Sequence, residues 1–289
     1  MIKTFSEVVK EQLWFPDGTY HCKINDVQLL RATTVIILSR FDPMVIATKV
    51  DAIRRTELIG GKRTHIVLKI PYIPAARQDR LCDSGEPLTS KVYADFLNSL
   101  DVDEILTVEP HSDVLPALLN NCFTIEVEEV MPWDTIFKKD NIILVSPDGG
   151  AIKRTGRVMK YLDSQGYTND RWFDIVYADK DRDPITGKIN NIVVQDKSGP
   201  EGGSIFDSDL YPDQQYIVVD DVGAMCGTFL GLHDKLKGRG AKHIDIVLAH
   251  IDCNRNGLPD LCEKFDNVYV TNSQSDYCSG GNLTVVDVL

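Results

Sequence analysis

Residues 215–229 read QYIVVDDVGAMCGTF. The β-branched run from Ile217 to Val219 ends in two acids, Asp220 and Asp221, and passes through a loop of small residues into a helical pattern beginning near Thr228. A strand that carries polar groups at its carboxyl end and then turns into a helix is the βα unit of a parallel sheet. Ligands of open parallel sheets sit outside the carboxyl ends of the strands, so the segment predicts both an architecture and a place to look for chemistry. Its residue types suit a sugar phosphate. Two carboxylates accept hydrogen bonds from vicinal hydroxyls, while backbone N–H groups of the loop and the helix N-terminus hold phosphate. An acidic N-cap turn produces the same pattern without any ligand.

Similar apolar runs recur outward from this segment: TTVIIL (33–38), HIVLKI (65–70), EILTV (104–108), NIILV (141–145), DIVYA (174–178), HIDIVLAH (243–250) and NVYVTN (267–272). They read as strands buried on both faces of parallel sheets. Helical stretches lie between several of them, at 44–58, 89–100, 151–162 and 228–236. Strand alternating with helix predicts an α/β fold, and the pattern runs twice, so we expect two similar doubly wound domains with mostly parallel sheets. The acidic, proline-bearing EVEEVMPWD (126–134) separates the runs and places the boundary after residue 131, giving domains 1–131 and 132–289. The last strand, near VVDVL (285–289), is a candidate to return to the N-terminal domain.

Composition narrows the partners. The 289 residues carry 31 Lys+Arg against 43 Asp+Glu, a net charge of −12, which excludes a non-specific nucleic-acid binder and a polybasic membrane anchor. The opening MIKTFSEVVKEQLWF mixes charges into its apolar residues and is not read as a secretory leader, and no apolar run approaches a membrane span. Seven cysteines without a CxxC pair fit reduced thiols and a cytoplasmic location better than a disulfide framework or a zinc site.

VVDDVGAMCGT (218–228) resembles the phosphoribosyl-diphosphate loop of type I phosphoribosyltransferases and ribose-phosphate pyrophosphokinases. Four further segments, in family order, favour the pyrophosphokinases: FPDGTYHCKI (15–24) is similar to their F-x-D-G-E hairpin, PYIPAARQDR (71–80) to P-Y-x-P-Y-A-R-Q-D-[KR], VEPHSD (108–113) to D-L-H-A, and VSPDGGAIKR (145–154) to V-S-P-D-x-G-G-x-K-R. The resemblance implies transfer of the β,γ-pyrophosphoryl group of MgATP to the anomeric hydroxyl of a ribose 5-phosphate moiety, with release of AMP, in a homo-oligomer. It also implies roles. Phe15, Asp17, Arg77, Gln78 and Asp79 fall to ATP, and His111 and Asp148 to Mg2+, with Asp148 also touching ribose. Asp220, Asp221, Gly223, Ala224, Met225, Cys226, Gly227 and Thr228 fall to the ribose phosphate. Lys180 and Arg182 match the cationic pair of the family's mobile catalytic loop, where they stabilise charge developing on the transferred group. A solvated basic turn, a solvated loop at 77–79 and a structural histidine are the plainer readings of these residues.

The chain also departs from the pattern. Ala224 and Met225 stand where the family has Asp-Thr, which removes a hydroxyl that helps hold a terminal phosphate dianion and leaves ribose 5-phosphate and ADP-ribose open as acceptors, the latter pointing to NAD synthesis. Thr19 replaces the hairpin glutamate, and Glu109 and Pro110 replace Asp-Leu before His111. A non-catalytic nucleotide-binding homologue and a phosphoribosyltransferase are the competing functions. The first is opposed by the retained K-x-R pair, the second by PYIPAARQDR and SPDGG.

Asp252, Asn254, Asn256 and Glu263 satisfy the spacing of a calcium loop with Gly257 at its turn, although a strand pattern precedes them and Pro259 lies inside; an Asx-rich turn into a helix is the alternative. GGKRT (60–64) lacks the first glycine of a P-loop and reads as a helix C-cap. His65, His233 and His243 read as surface or packing residues, and Cys226 is not expected to be a nucleophile.

Overall fold

The computed structural model describes residues 1–289 except 183–188, 197–203, 206–209, 211, 225 and 252–256, and for 179–182, 189–196 and 204–205 it describes the backbone. The chain folds into two compact units, residues 1–125 with Leu289, and residues 126–288.

The first unit runs β1 (Ile2–Thr4), α1 (Phe5–Val8), β2 (Val9–Trp14), β3 (Tyr20–Ile24), α2 (Asp26–Arg31), β4 (Thr34–Leu38), α3 (Pro43–Gly60), β5 (His65–Lys69), α4 (Thr89–Ser99), β6 (Glu104–Val108), α5 (Val114–Leu118) and β7 (Cys122–Ile125). Its sheet has the order β1-β4-β5-β6-β7, every pair parallel, while β2 and β3 form a separate antiparallel hairpin. Local chemistry sets the ends of α3. Asp42 caps it by accepting from the N–H groups of Met44 and Val45, Pro43 opens it, and Gly61 closes it at φ 69°, a left-handed position that glycine takes without strain. GGKRT is therefore the end of a helix.

Burial in this sheet alternates. Val35 and Ile37, Ile66 and Leu68, and Ile105 are buried in one apolar core, whereas Thr34, Ile36, His65, Val67, Lys69 and Glu104 between them are half-exposed. The expectation of strands buried on both faces is thus corrected for this unit. Polar residues at alternate positions mark its second face, and the near-continuous β-branched runs obscured them.

The second unit runs α6 (Val127–Val130), α7 (Trp133–Ile136), β8 (Asn141–Ser146), α8 (Ile152–Ser164), β9 (Trp172–Arg182), β10 (Ile189–Asp196), β11 (Ser204–Ile205), β12 (Gln215–Gly223), α9 (Gly227–Gly238), β13 (His243–Ile251), α10 (Gly257–Lys264), β14 (Asn267–Thr271) and β15 (Leu283–Val286). The sheet order is β11-β10-β9-β8-β12-β13-β14-β15, antiparallel among β9, β10 and β11 and parallel elsewhere. Here both faces are covered. Ile143, Val145, Tyr216, Val218, Ile244 and Ile246 enter one core, while their neighbours Ile142, Leu144, Ile217, Val219 and Val247 enter another. The bases of three strands are stitched by a buried polar set: the Gln215 amide donates to the Asp245 carboxylate and, at 2.8 Å, to the Ile136 carbonyl, and the Asn267 amide donates to Asp245 at 2.8 Å. Burial raises the pKa of Asp245 above the ordinary carboxylate range.

Two boundaries differ from the sequence reading. The units divide at 125/126, earlier than 131, because EVEEV forms α6 and its acids are held by α8: Arg157 pairs with Glu126 at 2.9 Å and Glu128 at 2.6 Å. The last strand does not return to the first unit. β15 pairs in parallel with β14, Val268 opposite Leu283 through Thr271 opposite Val286, and only Leu289 groups with the N-terminal unit.

Candidate active site

In the second unit the chain leaves β8 for β9 on one side, then returns to lay β12 on the other side of β8 and continues outward through β13, β14 and β15. β8 and β12 therefore flank the point where the strand order reverses, the place where an open parallel sheet leaves a crevice at its carboxyl edge. The register opens it. The last β12–β8 pair is Val218 with Val145, after which β12 runs on to Gly223 while β8 turns off at Ser146. The polar residues beyond that pair are Asp148 on one side and Asp220 and Asp221 on the other.

Asp148 is fixed by its turn: its Oδ1 accepts the Ala151 N–H at 3.0 Å, its carbonyl accepts the Ser146 hydroxyl at 2.9 Å, and it is half-exposed. Asp220 and Asp221 are buried, and so is Arg154 on α8, whose Nη1 donates to Asp220 Oδ1 at 2.6 Å and whose Nη2 lies 3.5 Å from Asp221 Oδ1. Burial drives the Asp220 pKa up to about 7; the Arg154 guanidinium opposes the rise, and the Asp221 and Asp148 carboxylates add to it. The geometry thus brings together three residues singled out in the sequence, Asp148, Asp220 and Asp221, with a fourth that was missed. The only signal for Arg154 was its place as the final residue of VSPDGGAIKR.

The chain packs closely where β12 ends and α10 begins. A β-carbon on Gly223 would lie 2.8 Å from the side chains of both Ile251 and Leu248, and one on Gly257 would lie 2.7 Å from the Cys226 sulfur. Cys226 itself is buried, caps α9 at φ 56°, and has its thiol pushed up to about 11 by burial, which keeps it from acting as a thiolate. Gly227 is exposed at the start of α9, while Ala224 and Thr228 are half-buried. Met225 lies outside the described residues.

Lys180 and Arg182 lie within the last three residues of β9, paired with Ile192 and Ile189 of β10. They were read as lying on a loop beyond the strand; the strand continues through them because the INNIVVQD run supplies an antiparallel partner. Tyr177 is level with Ser146 of the parallel neighbour β8, so both cations lie beyond the point where β8 turns off, at the carboxyl edge that also carries Asp148. Asp252, Asn254 and Asn256 of the calcium reading lie outside the described residues; Glu263 is exposed on α10.

In the first unit, β2 and β3 meet in a tight turn. Phe15 N–H donates to the Thr19 carbonyl at 2.9 Å, Gly18 takes φ 84°, and Asp17 Oδ1 accepts the Thr19 N–H at 2.9 Å, which lowers the Asp17 pKa. Trp14 and Phe15 are exposed at this tip, with Trp14 edge-on to Tyr20 at 5.2 Å. After β5, Ile73 and Ala76 are buried and anchor the 71–80 loop, Ala75 takes φ 64°, and Gln78 N–H donates to the Ala75 carbonyl at 2.8 Å. Arg77 and Gln78 are thereby turned to solvent, and Asp79 is half-buried. At the end of β6, Glu109 is buried at φ 36° with its N–H donating to Ile125 at 2.9 Å, and His111 two residues on is exposed. The plainer readings of the other histidines hold for two of them: His65 pairs with Glu104 at 2.9 Å, and His233 packs against Phe265.

Among the described residues no three His, Cys, Asp or Glu side chains form a ready-made metal cage, and no helix is long and apolar enough to cross a membrane. The donors at the β8–β12 edge are carboxylates, hard oxygen ligands of the kind Mg2+ takes one or two at a time while keeping waters and substrate phosphates. The group fits a cation that arrives on a nucleotide.

Fold and strand-end chemistry together define an α/β enzyme of the phosphoribosyltransferase-like class. A phosphoribosylpyrophosphate synthetase from Mycobacterium smegmatis superposes with a TM-score of 0.72 over 100% of this chain and 94% of its own, at 19% identity. The ribose-phosphate pyrophosphokinase of Haemophilus ducreyi is 31% identical over 274 residues, covering 90% of this chain and 76% of the relative. That of Vibrio parahaemolyticus is 28% identical, covering 95% and 82%. No family model matches the chain. The chain belongs to the ribose-phosphate pyrophosphokinase family.

Proposed function

We propose that the protein transfers the β,γ-pyrophosphoryl group of MgATP to the anomeric hydroxyl of a ribose 5-phosphate moiety. The hydroxyl oxygen forms a bond to the β-phosphorus and gives up its proton to solvent, the bond between that phosphorus and the bridging oxygen to the α-phosphorus breaks, and AMP leaves. The observation that carries this reading is the acidic set at the switch point, Asp148, Asp220 and Asp221, on a chain whose relatives carry that name. Asp220 and Asp221 accept from the ribose hydroxyls, and N–H groups of the 223–228 loop and the exposed start of α9 hold the acceptor phosphate. Lys180 and Arg182 stabilise charge on the group in flight, and Arg77 forks onto donor phosphate oxygens while Gln78 and Asp79 contact the nucleotide. Phe15 stacks on adenine, and Asp17 stiffens the hairpin. Asp148 in the second unit and His111 in the first are each candidates to hold Mg2+, which would neutralise phosphate charge and polarise the reacting phosphorus. Positioning and electrostatics do most of the work in such a transfer.

The acceptor is ribose 5-phosphate or ADP-ribose. The second is favoured by Ala224 and Met225, which remove the side chain best suited to a phosphate dianion while leaving backbone donors adequate for a diphosphate bridge. We propose a homo-oligomer working in the cytoplasm, as the family resemblance implies. The test is incubation with MgATP and each acceptor, quantifying AMP and the pyrophosphorylated sugar. Product should form with at least one acceptor, and Lys180→Ala should lower kcat roughly 10²–10³-fold, the usual cost of losing one charge-stabilising donor. AMP no higher than in that variant with both acceptors would overturn the reading.

A further inference from the structure

Two neighbouring carboxylates buried at the end of one strand need a counter-charge if both are to stay ionised. The counter-charge here comes from another element. Arg154, on the first turn of α8, is as buried as the acids it meets and reaches both, 2.6 Å to Asp220 and 3.5 Å to Asp221. Asp221 N–H donates to the same Asp220 oxygen at 3.0 Å, so that oxygen is held from two sides. α8 also begins at the turn that fixes Asp148. One guanidinium therefore ties the β8–α8 turn to the end of β12 across the switch point.

We propose that Arg154 is a positioning residue that aims the Asp220–Asp221 pair and favours its ionised form, so that the carboxylates can accept from the hydroxyls of the ribose acceptor. The inference rests on the site reading given above and adds a residue and a pH dependence to it. Among the described residues, the charged groups that face Asp220 are Arg154 from α8, Asp148 from the β8–α8 turn and Asp221 from its own strand, while β13 sets Leu248 opposite. Of these, only Arg154 favours the ionised carboxylate; without it, burial and the two like charges leave Asp220 protonated across neutral pH, with an O–H where an acceptor is needed.

The test compares wild type, Arg154→Lys, Arg154→Gln and the double variant Arg154→Gln/Asp220→Asn between pH 6.5 and 9, measuring KM for the acceptor, KM for MgATP and kcat. Arg154→Gln should raise acceptor KM at least tenfold at pH 7, recover part of it by pH 9 as Asp220 ionises, and leave KM for MgATP within about threefold. Arg154→Lys should keep most of the acceptor affinity. If Arg154→Gln fails to fold, the double variant carries the test. It leaves one buried carboxylate in place of two beside the lost guanidinium and should show a raised acceptor KM with no recovery at pH 9. An acceptor KM equal to wild type in either glutamine variant, or an equal rise in both KM values at every pH, overturns the inference while leaving the enzyme reading intact. A wild type that makes no product with either acceptor defeats the site reading first, and this inference with it.

Discussion

The carboxylates at the end of β12 and the loop after β5 present opposite solutions to handling anions. At β12, Asp220 and Asp221 are buried, paired with a buried arginine and held by a sheet packed on both faces. After β5, Arg77 and Gln78 stand in solvent on a loop anchored by the buried Ile73 and Ala76 and by the Pro71 carbonyl, which accepts the Val108 N–H at 3.0 Å. One region is organised before anything binds and bears a desolvation cost; the other keeps its cation hydrated and leaves ordering to the ligand. Selective recognition of a small neutral diol suits the first arrangement, because two hydroxyls offer little charge to organise a site around. Capture of a highly charged nucleotide suits the second, because the ligand supplies the driving force.

The most direct way to break the organised side is Asp221→Asn, which keeps the volume and removes the charged acceptor. Hydrogen bonds to charged groups are worth about 1.5–3 kcal/mol each, so losing two of them should lower kcat/KM for the acceptor roughly 10²–10⁴-fold. KM for MgATP should move less than about threefold. Equal losses for both substrates in initial-rate measurements would mean that the two regions do not divide the labour as argued.

The desolvation cost has its own signature. Burial raises the Asp220 pKa in the folded chain to about 7 from 3.8, so the folded state holds this proton more tightly than the unfolded state. The group's contribution to stability is complete below the unfolded value and is lost as pH rises toward 7, by an amount on the order of a few kcal/mol. Asp220→Asn should therefore melt above wild type at pH 8 and converge with it near pH 5, while losing acceptor affinity. Thermal denaturation across that range checks the sign, and a gap that widens toward acid would reverse it.

How far such contrasts could be read from the sequence depended on what set each feature. The eight apolar runs became strands because β-branched runs of that length, bounded by glycine, proline and acids, have few other folds open to them. The acids at 148, 220 and 221 were legible because strand ends in parallel sheets are where ligands bind. Arg154 was not, since nothing local distinguishes a helical arginine facing solvent from one folded under a strand 66 residues away. Single-face burial in the first unit was equally hidden, because Ile36 and Val67 on the half-exposed face are as apolar as their buried neighbours. β15 was misplaced because nothing in its short apolar run distinguishes the edge beside β14 from an edge of the other sheet.

The exposed side yields the smallest effect and the sharpest contrast in kind. Arg77→Ala removes a fork that no group in the described structure holds in place, so the folded chain should melt within about 1 °C of wild type. KM for MgATP should rise roughly 10–100-fold, the worth of one charge-assisted contact with phosphate. Because Arg77 is exposed, its attraction is screened by salt in a way that the buried Arg154 pair is not. Raising ionic strength from about 0.05 to 0.5 M should weaken MgATP binding to wild type more than to Arg77→Ala, narrowing the gap between them, while acceptor KM stays nearly flat. A gap that does not narrow would mean that Arg77 becomes buried against the nucleotide when it binds, and the two regions would then differ only before the substrate arrives.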